Sequence, residues 1–151
     1  MHRLTVTIAA LLLSAPLFAE LVFPPQEDAV QKYFALACTY TECGNLKAPM
    51  VIFGDTGRAL GYYYFGTHTV FVTEDCFVRT ADQTKCEAIL IHEMTHYIVD
   101  HNEGIRDNCA SESRAWDVYN AYVMDAGRLD LVRPNWQESY PLCAKSPAPS
   151  R

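Results

Sequence analysis

The chain has 151 residues, half of them hydrophobic and a fifth charged, with 18 Asp+Glu against 12 Lys+Arg and six cysteines. Length and apolar content suit one small globular domain and exclude collagen-like or repeat architectures. A formal charge of −6 without any basic run argues against nucleic acid or an anionic membrane surface as the partner.

Residues 1–19 read as a secretory signal: Met1-His2-Arg3 is the positive start, Leu4 to Leu13 is mostly apolar, and Ala19 ends a small-residue cleavage site. The apolar run is shorter than the roughly 20 residues of a spanning helix, and no other stretch suggests a membrane span. Residues 20–143 then form the domain, and 144–151 read as a disordered tail. Cys38, Cys43, Cys76, Cys86, Cys109 and Cys143 all lie in the domain. An even count behind a signal implies disulfides in an oxidising compartment, so the protein reads as secreted or periplasmic. No Cys-x-x-Cys pair favours a thiolate metal site. Joining neighbours gives Cys38 with Cys43, Cys76 with Cys86 and Cys109 with Cys143, the last bridge contributing roughly 3–4 kcal/mol in the chain-entropy model.

Between Gln26 and Cys38, acidic Glu27 and Asp28 open a stretch in which Val30, Tyr33, Phe34 and Ala37 recur at helical spacing. Met50 to Phe53 is a short apolar strand closed by Gly54-Asp55-Thr56-Gly57. Leu60 to Phe65 and His68 to Val72, rich in Tyr, Phe, Val and Thr and separated by Gly66-Thr67, read as a β-hairpin. From Asp82 to Asp100 no Gly or Pro intervenes, and Ala88 to Ile91 make the centre apolar nearly all round, as in a buried helix ending by Gly104. A further helix starts near Asp107-Asn108 and stops at Gly127. Leu129 to Cys143, with Pro134 and Pro141, reads as irregular.

The buried helix carries His92-Glu93-Met94-Thr95-His96. Histidines four apart stack on one helical face, so both imidazoles can reach one Zn²⁺ while Glu93 projects beside them as a base. The flanking Leu90, Ile91, Tyr97, Ile98 and Val99 are uncharged, which a solvent-facing coincidence would not be. A catalytic zinc needs a third ligand and one open position. Among Asp100, His101, Glu103, Asp107, Glu112 and Asp117, Glu112 ranks first. It shares an apolar helical face with Ala115, Trp116, Tyr119, Tyr122 and Val123, where an unpaired carboxylate is costly and a cation removes the cost. The competing role for Glu112 is to serve its helix dipole.

His92-Glu93-x-x-His96 with a glutamate on the next helix resembles the gluzincin branch of zinc metallopeptidases, which includes the thermolysin-like enzymes; Glu112-Ser113-Arg114-Ala115 resembles the Glu-x-x-Ala helix of small members. The resemblance spans roughly Leu60 to Asp125. It implies a small α+β zincin-like domain: a short sheet packed on an active-site helix, with a second helix bearing a ligand. It implies His92, His96 and Glu112 as ligands of one Zn²⁺, Glu93 as general base, and a peptide or protein substrate along an edge strand near His68-Val72. Two departures stand out. Trp116 occupies the place of an aspartate that orients a zinc histidine in thermolysin-like enzymes. The stretch after Gly127 is also too short for the lobe that supplies their oxyanion-binding histidine, which leaves His68, His101, Tyr63, Tyr64, Tyr97 and Tyr119 as candidates. The alternatives to a peptidase are a disulfide-stapled binding or inhibitory module with structural zinc, and a hydrolase of non-protein amides such as cell-wall peptides.

Overall fold

The computed structural model describes residues 27–57, 59–77 and 81–143. The expected signal and tail, 1–19 and 144–151, lie outside them. The fold is α+β, with three α-helices, one three-stranded sheet and three disulfides. Helix α1 (Glu27–Ala37) turns Phe34 and Ala37 inward, and the Cys38–Cys43 bridge closes the turn that follows.

Strands β1 (Met50–Gly54), β2 (Gly61–Tyr63) and β3 (Thr69–Thr73) lie in the order β1-β3-β2, with β3 parallel to β1 and antiparallel to β2. Alternation sorts β3: Val70 and Val72 are buried, while Phe71 faces outward and stacks on Tyr62 at 4.6 Å between ring centroids. This order corrects the expectation of a substrate-binding edge at His68-Val72. That strand is the middle one, because β1 pairs along its other side, and the free edges belong to β1 and β2. The hairpin is shorter than its composition suggests. Tyr63 Oη and Gly66 N–H both donate to Asp100 of the following helix, so the loop spends its polar groups on the helix rather than on the ladder.

Helix α2 (Gln83–Glu103) runs through the middle of the molecule and packs on α1, β2, β3 and α3. Asp82 caps its start by accepting from Lys85 N–H, and Gly104 ends it at φ 68°, a conformation glycine adopts without strain. Every residue from Ala88 to Asp100 is buried, the polar His92, Glu93, Thr95, His96 and Asp100 along with the apolar ones. Cys76–Cys86 fastens the preceding 3-10 turn (Glu74–Phe77) to its first turns. Helix α3 (Asn108–Asp125), capped by Asp107, lays Ser111, Ala115, Val118, Tyr119 and Val123 into the core. Glu87 ties the three helices together by accepting from Tyr33, Gln83 and Tyr122. Two 3-10 turns, Leu129–Leu131 and Trp136–Ser139, punctuate the C-terminal segment, which Cys109–Cys143 binds back to the first turn of α3. No described helix is long and apolar enough to cross a membrane.

Candidate metal centre

His92 and His96 face α3 from the buried middle of α2, and their Nε2 atoms lie 3.1 Å apart. Glu112, near the start of α3, closes the triangle: one oxygen is 3.5 Å from His92 Nε2, the other 3.6 Å from His96 Nε2. Four-coordinate zinc holds nitrogen and oxygen ligands at about 2.0–2.2 Å, which puts tetrahedral neighbours roughly 3.3–3.5 Å apart. The three donors therefore converge on a space of the right size for one metal ion.

Hydrogen bonding and charge support that reading. His96 Nδ1 sits 2.6 Å from Ser111 Oγ; with Nδ1 donating to that hydroxyl, Nε2 carries a free lone pair toward the centre. Burial, with His92 as a lesser influence, holds His96 well below the ordinary histidine range, in the neutral form that ligates metals. Trp116 meets the His92 ring edge to face, with 4.6 Å between centroids, and so packs against it rather than hydrogen-bonding to it. Tyr119 backs both rings, 4.9 Å from Trp116 and 6.4 Å from His92. Among the described residues, four buried side-chain polar atoms have no hydrogen-bond partner, and three of them belong to residues of this region: His92 Nδ1, Glu112 Oε2 and Trp116 Nε1. Buried polar groups are nearly always satisfied, and an ion in the triangle would meet Glu112 Oε2, though not His92 Nδ1, which lies across its ring from the Nε2 that faces Glu112 and His96.

Glu93 is buried beside this triangle against β2. A Cβ on Gly61 would lie 2.8 Å from Glu93 Cγ and 3.0 Å from its Oε1, so only glycine lets the strand approach so closely. Burial raises the Glu93 carboxyl to about 7, with His92 opposing the rise and Glu112 adding to it.

The remaining sequence candidates are placed elsewhere. His68 and His101 stack at 4.4 Å, Tyr97 lies 4.7 Å from His101, and their polar atoms engage one another, Lys47 O and Thr67 O. Tyr63 binds Asp100, and Tyr64 is exposed against Tyr62 and Phe71. Of the other acidic candidates, Asp100 is engaged by Tyr63, Gly66 and Arg106, Glu103 pairs with Arg114, Asp107 caps α3, and Asp117 is exposed. Sequence reasoning missed three contributors: Ser111, Gly61 and Tyr140. The Tyr140 hydroxyl is pushed up to about 12, by burial first and then by Glu112 and Glu93. Ser111 carries a local signal, since it precedes Glu112 on the buried side of the helix. Tyr140 carries none, because it lies in the segment that Cys109–Cys143 binds back to α3.

Comparison with known protein families, with curated proteins and with solved structures finds no match to this chain.

Proposed function

We propose that this chain is a secreted zinc-dependent peptidase that hydrolyses peptide or closely related amide bonds. The carrying observation is the convergence of His92, His96 and Glu112 on one ion-sized space, with a second carboxylate, Glu93, buried beside it and outside the donor triangle. A purely structural centre has no use for that extra base. Bound Zn²⁺ would supply Lewis acidity, polarising the substrate carbonyl and acidifying the attacking water. Glu93 takes a proton from that water as its oxygen adds to the carbonyl carbon, then delivers it to the amide nitrogen as the C–N bond breaks. Ser111 and Trp116 keep the two histidines in place through the cycle. The three disulfides fit an oxidising compartment.

The test is a zinc titration with parallel assays on a pool of quenched-fluorescent peptides. The purified chain, with its bridges formed, should bind about one zinc and hydrolyse members of the pool. Glu93→Gln should keep the zinc and lose hydrolysis by at least about 10³-fold, toward the upper range for acid–base catalysts. A chain that binds no zinc, or a Glu93→Gln variant as active as the parent, overturns this reading.

A further inference from the structure

The turn of α3 that carries Glu112 is the least packed part of that helix. Between Asn108 and Glu112 only Ser111 is buried, whereas Ala115, Val118, Tyr119 and Val123 sink the rest of the helix into the core. Gly104, Arg106 and Asp107, which lead into it, are exposed. Cys109, Glu112, Trp116 and Asn120 follow one another at steps of three and four residues, so they share one stripe of α3 about 16 Å long. Both ends of that stripe are tied to the C-terminal segment. At one end Cys109 is bonded to Cys143, with their Cα atoms 5.2 Å apart. At the other, Asn120 and Arg133 pair reciprocally: Arg133 N–H donates to Asn120 Oδ1 at 2.7 Å, and Asn120 Nδ2 donates to Arg133 O at 3.1 Å. Between the ties the segment is wound into consecutive tight turns, in which the N–H groups of Glu138, Tyr140 and Cys143 donate to the carbonyls of Asn135, Gln137 and Tyr140. Residues 133–143 therefore return from the far end of the stripe to its start, and Glu112 lies between their two points of attachment.

Building on the metal-centre reading, and independently of hydrolysis, we infer that residues 133–143 form a two-point clamp on α3 and that the Cys109–Cys143 bridge is a positioning device for Glu112. His92 and His96 share one buried helix, so α2 itself fixes their spacing. Glu112 reaches them from a different helix, and its place depends on how the first turn of α3 is held. Besides the Asp107 cap, two ties hold that turn: Ser111 Oγ at 2.6 Å from His96 Nδ1, and the bridge one helical turn before Glu112. Helix ends fray, and a covalent tie at this end removes conformations in which the turn leaves α2. The carboxylate is then in place before an ion arrives, and less order has to be gained on binding. The competing role for the bridge is a staple that stabilises the whole fold without bearing on the centre. Cys38–Cys43, which closes the turn after α1, serves as the comparison.

The experiment measures zinc affinity by competition with a chelator, and the visible spectrum of the Co²⁺-loaded chain, in the parent and in variants. Replacing both Cys109→Ser and Cys143→Ser should weaken zinc about tenfold, the lower end for groups that orient a ligand. It should also change the Co²⁺ spectrum, because a carboxylate that no longer holds alters the coordination geometry. Asn120→Ala, which opens the other end of the clamp, should weaken zinc roughly threefold, a smaller effect of the same kind. Cys38→Ser with Cys43→Ser should lower the melting temperature yet keep the parental zinc affinity and Co²⁺ spectrum. In a Glu112→Ala background, breaking Cys109–Cys143 should cost little further zinc affinity, since the bridge acts through that carboxylate. Parental zinc affinity and Co²⁺ spectrum without the Cys109–Cys143 bridge would make it a staple only and overturn the inference. So would a loss that adds in full to that of Glu112→Ala. If the bridge-free chain does not fold, Asn120→Ala carries the test, and parental affinity there overturns the clamp. A parent that binds zinc yet hydrolyses nothing removes the peptidase reading and leaves this one standing; a parent that binds no zinc removes both.

Discussion

Helix α2 buries two polar centres about a turn apart, and the protein treats them in opposite ways. At Asp100 every demand is met: Tyr63 Oη and Arg106 Nε donate at 2.7 Å each, and Gly66 N–H donates as well. Burial alone would push the Asp100 carboxyl up, but these hydrogen bonds and the guanidinium outweigh it and hold the group below its ordinary value. At His92, His96 and Glu112 three donor atoms converge on one space, and Glu112 Oε2 has no hydrogen-bond partner within the protein. A satisfied buried carboxylate is architecture; here it pins the β2–β3 loop to the helix. A convergent, incompletely satisfied set is one that could hold an ion, since leaving such an atom unpaired costs about 1–3 kcal/mol.

This contrast can be broken from either side. Asp100→Ala should cost the most in folding stability, about 3 kcal/mol by denaturant titration at pH 7, because it strands Gly66 N–H and leaves a void. Its effect on zinc affinity should be small. Because Asp100's folded-state pKa is lowered, its contribution is fully present above the ordinary carboxylate value of about 3.9 and is lost as pH falls below it. The gap between parent and variant should therefore narrow in acid, and a gap that widens there would refute this account.

Zinc should act in the reverse sense. At 100 times its dissociation constant it should stabilise the parent by about 2.7 kcal/mol, and Glu112→Ala should abolish most of that gain while leaving Asp100's network intact. A metal-free thermal scan compared with a zinc-loaded one measures this directly. Ser111→Ala sharpens the comparison at its smallest scale. Losing the His96 Nδ1 partner should weaken zinc roughly 10- to 100-fold, the range for residues that orient a ligand histidine, with the metal-free fold little affected. A Ser111→Ala variant with parental zinc affinity would show that packing alone orients His96.

How much of this was legible beforehand varies with the range of the interactions involved. The His92-Glu93-x-x-His96 spacing is local, and helical periodicity alone brings the two imidazoles onto one face; Asp82, Asp107 and Gly104 likewise announce helix ends within a few residues. The facing of Glu112 was approachable because a carboxylate on an apolar stripe is anomalous. Tyr97, His68 and His101 looked equally eligible for the cleft, but nothing in the chain order says that they stack on one another instead. The strand order was similarly hidden: β1 pairs in parallel with β3 across the intervening β2, a non-local choice that removes the expected edge.

The amino-acid sequence by itself determined the helices, the even cysteine set, and a histidine pair with a base beside it, because those rest on periodicity, capping and side-chain chemistry within a turn or two. Only the tertiary structure decided that Glu112 meets both histidines, that Ser111 hydrogen-bonds His96, and that the sheet's open edges lie on β1 and β2. Each depends on which faces of separate elements bury against one another, and that is settled by packing over the whole core rather than by any local stretch of chain.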